Sequence, residues 1–208
     1  MTEDPLDRLR AEAVRDDYPS MLRLARALYE TGLGPAEVMR ECYGVAFPDE
    51  FFVLATKPVL MFEYTYQPWD LAVPPARGGP PEDDETDELE ADILARDADL
   101  VPLGVCRNMY AGFGGLYLCY RLTELTAGRA TVFSIEYDVT PDSPITRRAD
   151  SLLAALHEHL TANAAWVESE RRRTIAHSGG HVDDSDVRVA HKFVADIEAL
   201  RRRIGSSH

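Results

Sequence analysis

The sequence predicts an α+β protein in which helices precede and follow an antiparallel sheet. Apolar residues recur at helical spacing near both ends of the chain. Between these regions, three short strand-like runs follow one another at 101–107, 115–121 and 131–138. Short strands that follow one another closely favour an antiparallel meander with one face on a core.

The N-terminal part of the chain predicts three helices. Leucine and alanine recur near the helical period over residues 5–31, and Pro19 marks a break between two segments because proline interrupts helix hydrogen bonding. A third helix over residues 36–42 is expected to end at Gly44.

The middle of the chain is irregular in pattern. Residues 51–55 suit either a helix or the start of a strand, whereas 59–66 favours a strand. Prolines and glycines over 74–81 cannot sustain regular structure. Residues 82–99 then contain ten acidic residues opposed only by Arg96. Charge repulsion predicts an exposed loop or a short solvated helix there.

The connections and the C-terminal part complete the predicted order. A glycine-rich turn at 112–115 joins the first two strands, and Ala127-Gly128-Arg129 forms a hairpin turn before the third. A helix over 146–164 follows, the next residues are helical at first, and 184–204 carries the apolar stripe of a final helix. No internal repeat is visible.

The chain is strongly acidic. It has 36 acidic and 22 basic residues, a formal net charge of −14. Such a field repels nucleic acid and anionic membranes and attracts basic proteins. The charge either keeps the protein soluble or serves a partner. The first residues lack the pattern of a signal peptide, and no apolar run approaches the roughly 20 residues that cross a bilayer, so we expect a cytoplasmic protein.

No catalytic, cofactor or metal motif stands out. Cys42, Cys106 and Cys119 are odd in number and have apolar neighbours, which argues against a disulfide framework or a zinc cluster. His177 and His181 lie near several aspartates but without a recognised ligand spacing. The glycine turn precedes a strand and therefore offers no helix N-terminus to a phosphate. We expect a protein that is not an enzyme and that has no cofactor.

Aromatic residues give the remaining indication of a binding surface. Several lie in or beside the strand region, and aromatic side chains are favoured at interface centres and equally in cores. Trp69, Tyr110 and Phe113 fall at loop-like positions and are expected to be exposed. Core packing of these aromatic residues stays open as the alternative.

Three stretches share a pattern with a known family. The first runs from Glu37 to Phe51, as helix, glycine, apolar, proline, acidic and aromatic residues. The second comprises Val101–Gly104 and, after the glycine turn, Leu116–Tyr120. The third comprises Ile135–Asp138 and then Ala149–Leu156. Together they resemble the SUKH superfamily, whose bacterial members are commonly immunity proteins against polymorphic toxins.

The resemblance covers residues 20–162 and implies a twisted, mostly antiparallel sheet flanked by helices. Residues 1–19 then form an N-terminal helical segment, and 74–99 is a proline-rich acidic insertion in the SUKH-like domain. Residues 163–208 form a helical C-terminal extension that packs on the same domain.

The implied function is non-catalytic binding and neutralisation of a toxin. Many such toxins have basic grooves, which the acidic charge would complement. The candidate partner-binding residues are the acidic side chains of 82–88 with the aromatic residues at loop-like positions: Trp69, Glu82, Asp83, Asp84, Glu85, Asp87, Glu88, Tyr110 and Phe113. The alternatives are an enzyme with an unrecognised site and a structural or regulatory protein that oligomerises through helix 184–204. The oligomeric state and the identity of the partner stay open.

Overall fold

The structure, a computed structural model, describes residues 4–56, 62–63, 67–82, 88–107, 115–136, 142–178 and 184–205. The helices are α1 Pro5–Glu12, α2 Tyr18–Glu30, α3 Pro35–Tyr43, α4 Asp49–Thr56, α5 Gln67–Leu71, α6 Glu88–Arg96, α7 Leu122–Thr126, α8 Leu152–Ser178 and α9 Ser185–Gly205, with one 3-10 turn at Pro75–Arg77. The strands are β1 Phe62–Glu63, β2 Leu100–Arg107, β3 Gly115–Arg121, β4 Val132–Glu136 and β5 Thr146–Ala149.

The N-terminal helices begin and end at the residues that local chemistry favours. The Asp4 carboxylate accepts a hydrogen bond from the Leu6 amide and caps α1. Pro19 lies in the first turn of α2, where its missing N–H costs nothing, so the break falls at residues 13–17 and not at the proline. Gly44 ends α3 at φ 71°, a conformation that glycine adopts without strain. Residues 51–55, for which the sequence left two states open, are helical in α4.

The sheet is an antiparallel meander, and the α+β class is confirmed. Its five strands lie side by side in chain order, and each described pairing is antiparallel. An irregularity between Pro102 and Gly104 shifts the register of β2 against β3. Val101 and Leu103 consequently share a face with Cys106, although alternation would place the last residue on the opposite face.

Both faces of the sheet are covered, so the expectation of a single buried face is wrong. Helices α2 to α5, α8 and α9 pack on one face and form the main hydrophobic cluster with the sheet. The other face has a smaller cluster to which α6 contributes Ile93, which has no exposed surface. The residues of that cluster are Ile93, Leu100, Val105, Tyr117, Cys119 and Ile135. The acidic segment 82–99 therefore contains a helix that packs on the sheet, whereas the sequence predicted an exposed loop or a solvated helix.

Three connections differ from the prediction. The second and third predicted strands, β3 and β4, are joined through the short helix α7 before Gly128 turns the chain at φ 72°, so no tight hairpin forms there. Residues 146–149 form the edge strand β5 and not the first turn of a helix. Since that strand pairs with β4, α8 begins six residues later than predicted, at Leu152.

The two C-terminal helices pack against each other as a helical hairpin. Ala164, Val167 and Ala190 form a third cluster whose members all come from α8 and α9. An ion pair and a hydrogen bond cross between the helices: Arg171 Nη2 lies 2.7 Å from Asp184 Oδ1, and His191 Nε2 lies 2.6 Å from Glu168 Oε1. Much of the apolar stripe of α9 is buried within the protein, because Phe193 and Ile197 belong to the main hydrophobic cluster.

Glu50, in the first turn of α4, ties three elements together. Its Oε1 accepts hydrogen bonds from the Leu152 amide at 2.6 Å and from the Tyr120 hydroxyl at 3.2 Å, and its Oε2 accepts one from the Leu153 amide at 3.1 Å. The two amides lie at the positive N-terminal end of α8. Burial raises the pKa of the Glu50 carboxyl, while these hydrogen bonds act in the opposite direction. One buried carboxylate thus caps the longest helix and joins it to α4 and β3.

We expect Glu50→Ala to lower the free energy of unfolding by about 2–4 kcal/mol, because two buried amides and the Tyr120 hydroxyl lose their acceptor. Urea denaturation measures the change. Glu30→Ala, at an exposed position near the end of α2, is the matched control and is expected to change stability by no more than about 0.5 kcal/mol. Equal values for the two variants would contradict this role of Glu50.

Candidate protein-binding surface

Trp69 is not exposed, which corrects the prediction. It lies in α5 and only 5% of its surface is accessible. Its ring stacks on Phe51, with centroids 4.2 Å apart, and its indole N–H donates to the Leu103 carbonyl. These contacts join α5 to α4 and β2, so Trp69 is a core residue and is not available to a partner in this structure.

Most of the other predicted interface residues lie outside the described residues. These are Asp83, Asp84, Glu85, Asp87, Tyr110 and Phe113. Glu88 begins α6, and its side chain is likewise outside the described part. Glu82 is exposed, and its Oε1 lies 2.6 Å from Arg26 Nη1 on α2. The binding role of these residues remains a prediction. The described part of the structure does not bring the nine predicted residues together into one site.

The proline-rich stretch that precedes the acidic residues is tied to α2. The Tyr18 hydroxyl donates to the Pro81 carbonyl at 3.0 Å, and Arg26 Nη2 donates to the Pro80 carbonyl at 2.8 Å. Further back, the Tyr29 hydroxyl donates to the Leu71 carbonyl at 3.0 Å. The stretch 71–82, which leads into the acidic residues 83–88, is therefore held against α2 by three hydrogen bonds.

Part of the acidic segment is used inside the molecule. Glu90 is buried and its Oε2 accepts from the Gln67 amide at 3.3 Å. Arg121 lies between two aspartates of the turn after α6, with Nη2 2.9 Å from Asp97 Oδ2 and Nη1 3.5 Å from Asp99 Oδ2. Carboxylates that are already paired contribute less to the field that an approaching protein meets. Glu90, Asp97 and Asp99 therefore have a structural role. None of them is among the residues predicted to bind a partner.

Arg15 is an organising residue that the sequence did not reveal. Its guanidinium donates to the Ala98 carbonyl at 2.6 Å and to the Leu100 carbonyl at 2.5 Å, across more than 80 residues of sequence. Burial lowers the pKa of Arg15. This contact fixes the α1–α2 turn against the turn that follows α6. The neighbouring Asp16 and Asp17 are exposed on the α1–α2 turn.

Charge is unevenly distributed over the chain. Residues 165–178 and 184–192, which form the outer half of the helical hairpin, contain four acidic and five basic residues. The rest of the chain contains 32 acidic and 17 basic residues. Exposed carboxylates outside the hairpin's outer half are spread over many elements, and they include Asp16, Asp17, Glu30, Asp92, Glu136 and Asp142. The candidate surface is consequently the acidic part of the molecule outside that outer half.

The described cysteines are poorly suited to nucleophilic chemistry. Burial raises the pKa of Cys42 and of Cys106 to about 12, and it also raises the pKa of Cys119. The thiolate is the reactive form, and these thiols stay protonated at neutral pH.

No group of three His, Cys, Asp or Glu side chains in the described ranges could hold a metal ion. Of the histidine cluster considered in the sequence, His181 and Asp183 lie outside those ranges, as does the His177 side chain. Within the same ranges, no helix combines the length and the apolar composition that a membrane crossing requires.

Comparison with protein-family models, with curated proteins and with solved structures finds no match to this chain.

We expect the thiols of the folded protein to react with DTNB at pH 8 at least about 100-fold more slowly than free glutathione, because a pKa near 12 leaves little thiolate. Absorbance of the released thiolate gives the rate. Unfolding in guanidinium is the control and should release three equivalents, one for each cysteine. Rapid labelling of Cys42 in the native protein would contradict the raised pKa.

Proposed function

We propose that this chain is a non-catalytic protein-binding module that captures a basic protein partner through its acidic surface. The proposal rests on one observation: the part of the chain outside the hairpin's outer half contains 32 acidic residues and only 17 basic ones. Charge of one sign over most of a surface raises the association rate of an oppositely charged protein and discriminates against acidic ones.

The immunity type of partner is suggested by the likeness of residues 20–162 to the SUKH superfamily. On this proposal the partner is a toxin domain with a basic substrate groove, and binding neutralises it by covering that groove. A positively charged groove built for nucleic acid is complementary to a surface that carries many carboxylates. The partner class thus follows from the resemblance and from the sign of the charge together.

Two described features favour a fixed acidic surface over a diffuse one. The stretch 71–82 is bonded to α2 through Tyr18, Arg26 and Tyr29, and the α1–α2 turn is bonded to the β2 entrance through Arg15. A surface that is held before binding loses less conformational entropy on association. Acidic residues next to these anchors are therefore suited to recognition as well as to solubility.

A tagged chain used for pull-down from its native host at low salt tests the proposal. We expect one stoichiometric basic protein that a wash in about 0.5 M NaCl releases, because salt at that concentration screens exposed charges within a few ångström. A gene for a toxin domain beside the gene for this chain would identify the same protein independently. The absence of any partner, or an acidic partner that resists salt, would overturn the proposal.

With the partner in hand, we expect neutralisation of Asp83, Asp84, Glu85, Asp87 and Glu88 by Asn or Gln to slow association about tenfold at low salt and to flatten its salt dependence. Stopped-flow mixing measures the rate. The matched control removes five exposed carboxylates away from these anchors: Glu136, Asp142, Asp150, Glu158 and Asp186. A larger effect of the first variant assigns the interface to 82–88. Unchanged kinetics in that variant would contradict the assignment.

A further inference from the structure

Arg26, on α2, contacts the chain at two points just before the acidic residues 83–88. Its Nη1 lies 2.6 Å from Glu82 Oε1, and its Nη2 donates to the Pro80 carbonyl at 2.8 Å. A planar guanidinium holds two acceptors in a fixed geometry, which an ammonium group does not. An exposed ion pair alone contributes little to stability. The contact with the Pro80 carbonyl adds a partly buried hydrogen bond, which solvent and salt screen less.

Tyr18, eight residues earlier on the same helix, holds the residue between these two. Its side chain has only 1% of its surface accessible, and its hydroxyl donates to the Pro81 carbonyl at 3.0 Å. Proline has no N–H, so the carbonyls are the backbone groups through which residues 80 and 81 can be held. Each of the three residues 80–82 is therefore bonded to a side chain of α2.

These contacts give Glu82 a different role from the one that the sequence predicted. Its charge was expected to face a basic partner, but its Oε1 already accepts a hydrogen bond from Arg26. A carboxylate that is paired with a guanidinium of its own chain adds little to the field that an approaching protein meets. Glu82 is therefore better suited to hold the chain in place than to attract a partner.

We infer that Arg26, Tyr18 and Glu82 are positioning residues for partner capture: they fix the point from which residues 83–88 start, and they leave the attraction of the partner to other carboxylates. The inference rests on the proposed capture of a basic protein. A chain that is held before binding loses less conformational entropy on association. Removal of any one of the three groups consequently weakens binding, whatever the sign of the charge that is removed.

Three single variants separate positioning from plain electrostatic attraction, because they change the net charge in different directions. Arg26→Ala makes the chain more acidic, Tyr18→Phe leaves the charge unchanged, and Glu82→Gln makes the chain less acidic. Attraction alone predicts tighter, unchanged and weaker binding of a basic partner, respectively. Positioning predicts that all three variants raise the Kd, by about two- to tenfold for the loss of one hydrogen bond. Isothermal titration calorimetry with the purified partner measures the Kd.

Arg23→Ala is the matched control for Arg26→Ala. It removes the same charge from an exposed position on the same helix, and Arg23 is not one of the residues bonded to 80–82. We expect this variant to bind at least as tightly as the wild type. Circular dichroism verifies that all four variants are folded. Tighter binding in Arg26→Ala, equal to that in Arg23→Ala, would overturn the inference and leave the proposed capture standing.

A second measurement needs no partner, so it tests the inference even if the proposed function fails. Cleavage by a Glu-specific protease after Glu82 requires the chain to open locally. We expect this cleavage to be about fivefold faster in Arg26→Ala than in the wild type, the change expected for the loss of one hydrogen bond, and unchanged in Arg23→Ala. Fragment masses identify the cleavage site. Equal rates in the two variants would overturn the inference.

Discussion

The position of the C-terminal hairpin depends on one buried carboxylate. Glu50 accepts hydrogen bonds from the Leu152 and Leu153 amides at the start of α8. The first N–H groups of this 27-residue helix have no partner within the helix and need one from outside it. The Tyr120 hydroxyl donates to the same oxygen as the Leu152 amide, so β3 contributes to this cap. Glu50 on α4 thereby fixes the start of α8. Because α9 packs along α8, the position of Glu50 also helps to set the direction of the whole hairpin.

The outer half of the helical hairpin and the rest of the molecule have different surfaces. Most of the negative charge lies outside the hairpin's outer half, and internal pairs such as Arg121 with Asp97 and Asp99 neutralise only part of it. The hairpin's outer half is nearly neutral, and Ile175 and Val189 are exposed on it. The two regions therefore differ in net charge.

Local patterns account for what the sequence predicted well. The α3 helix and its end at Gly44, the order of β2, β3 and β4, and the extent of α9 all follow from periodicity and turn residues. Strand β5 was missed because Thr146-Arg147-Arg148-Ala149 has no apolar alternation and is held by pairing with β4. Trp69 was misplaced because Phe51 and Leu103, which bury it, are distant in sequence. The Glu50 cap was missed for the same reason, since its three donors lie 70, 102 and 103 residues away from it in sequence.

A double-mutant cycle between Glu50→Ala and Tyr120→Phe tests the shared cap most directly, because each substitution removes one partner of the hydrogen bond between the carboxylate and the hydroxyl. Free energies of unfolding of the wild type, the two single variants and the double variant give the coupling. A coupling of about 1 kcal/mol or more is the result that the structure predicts for a buried hydrogen bond to a carboxylate. Additivity within about 0.3 kcal/mol would show that Glu50 and β3 are not energetically joined and would contradict the account.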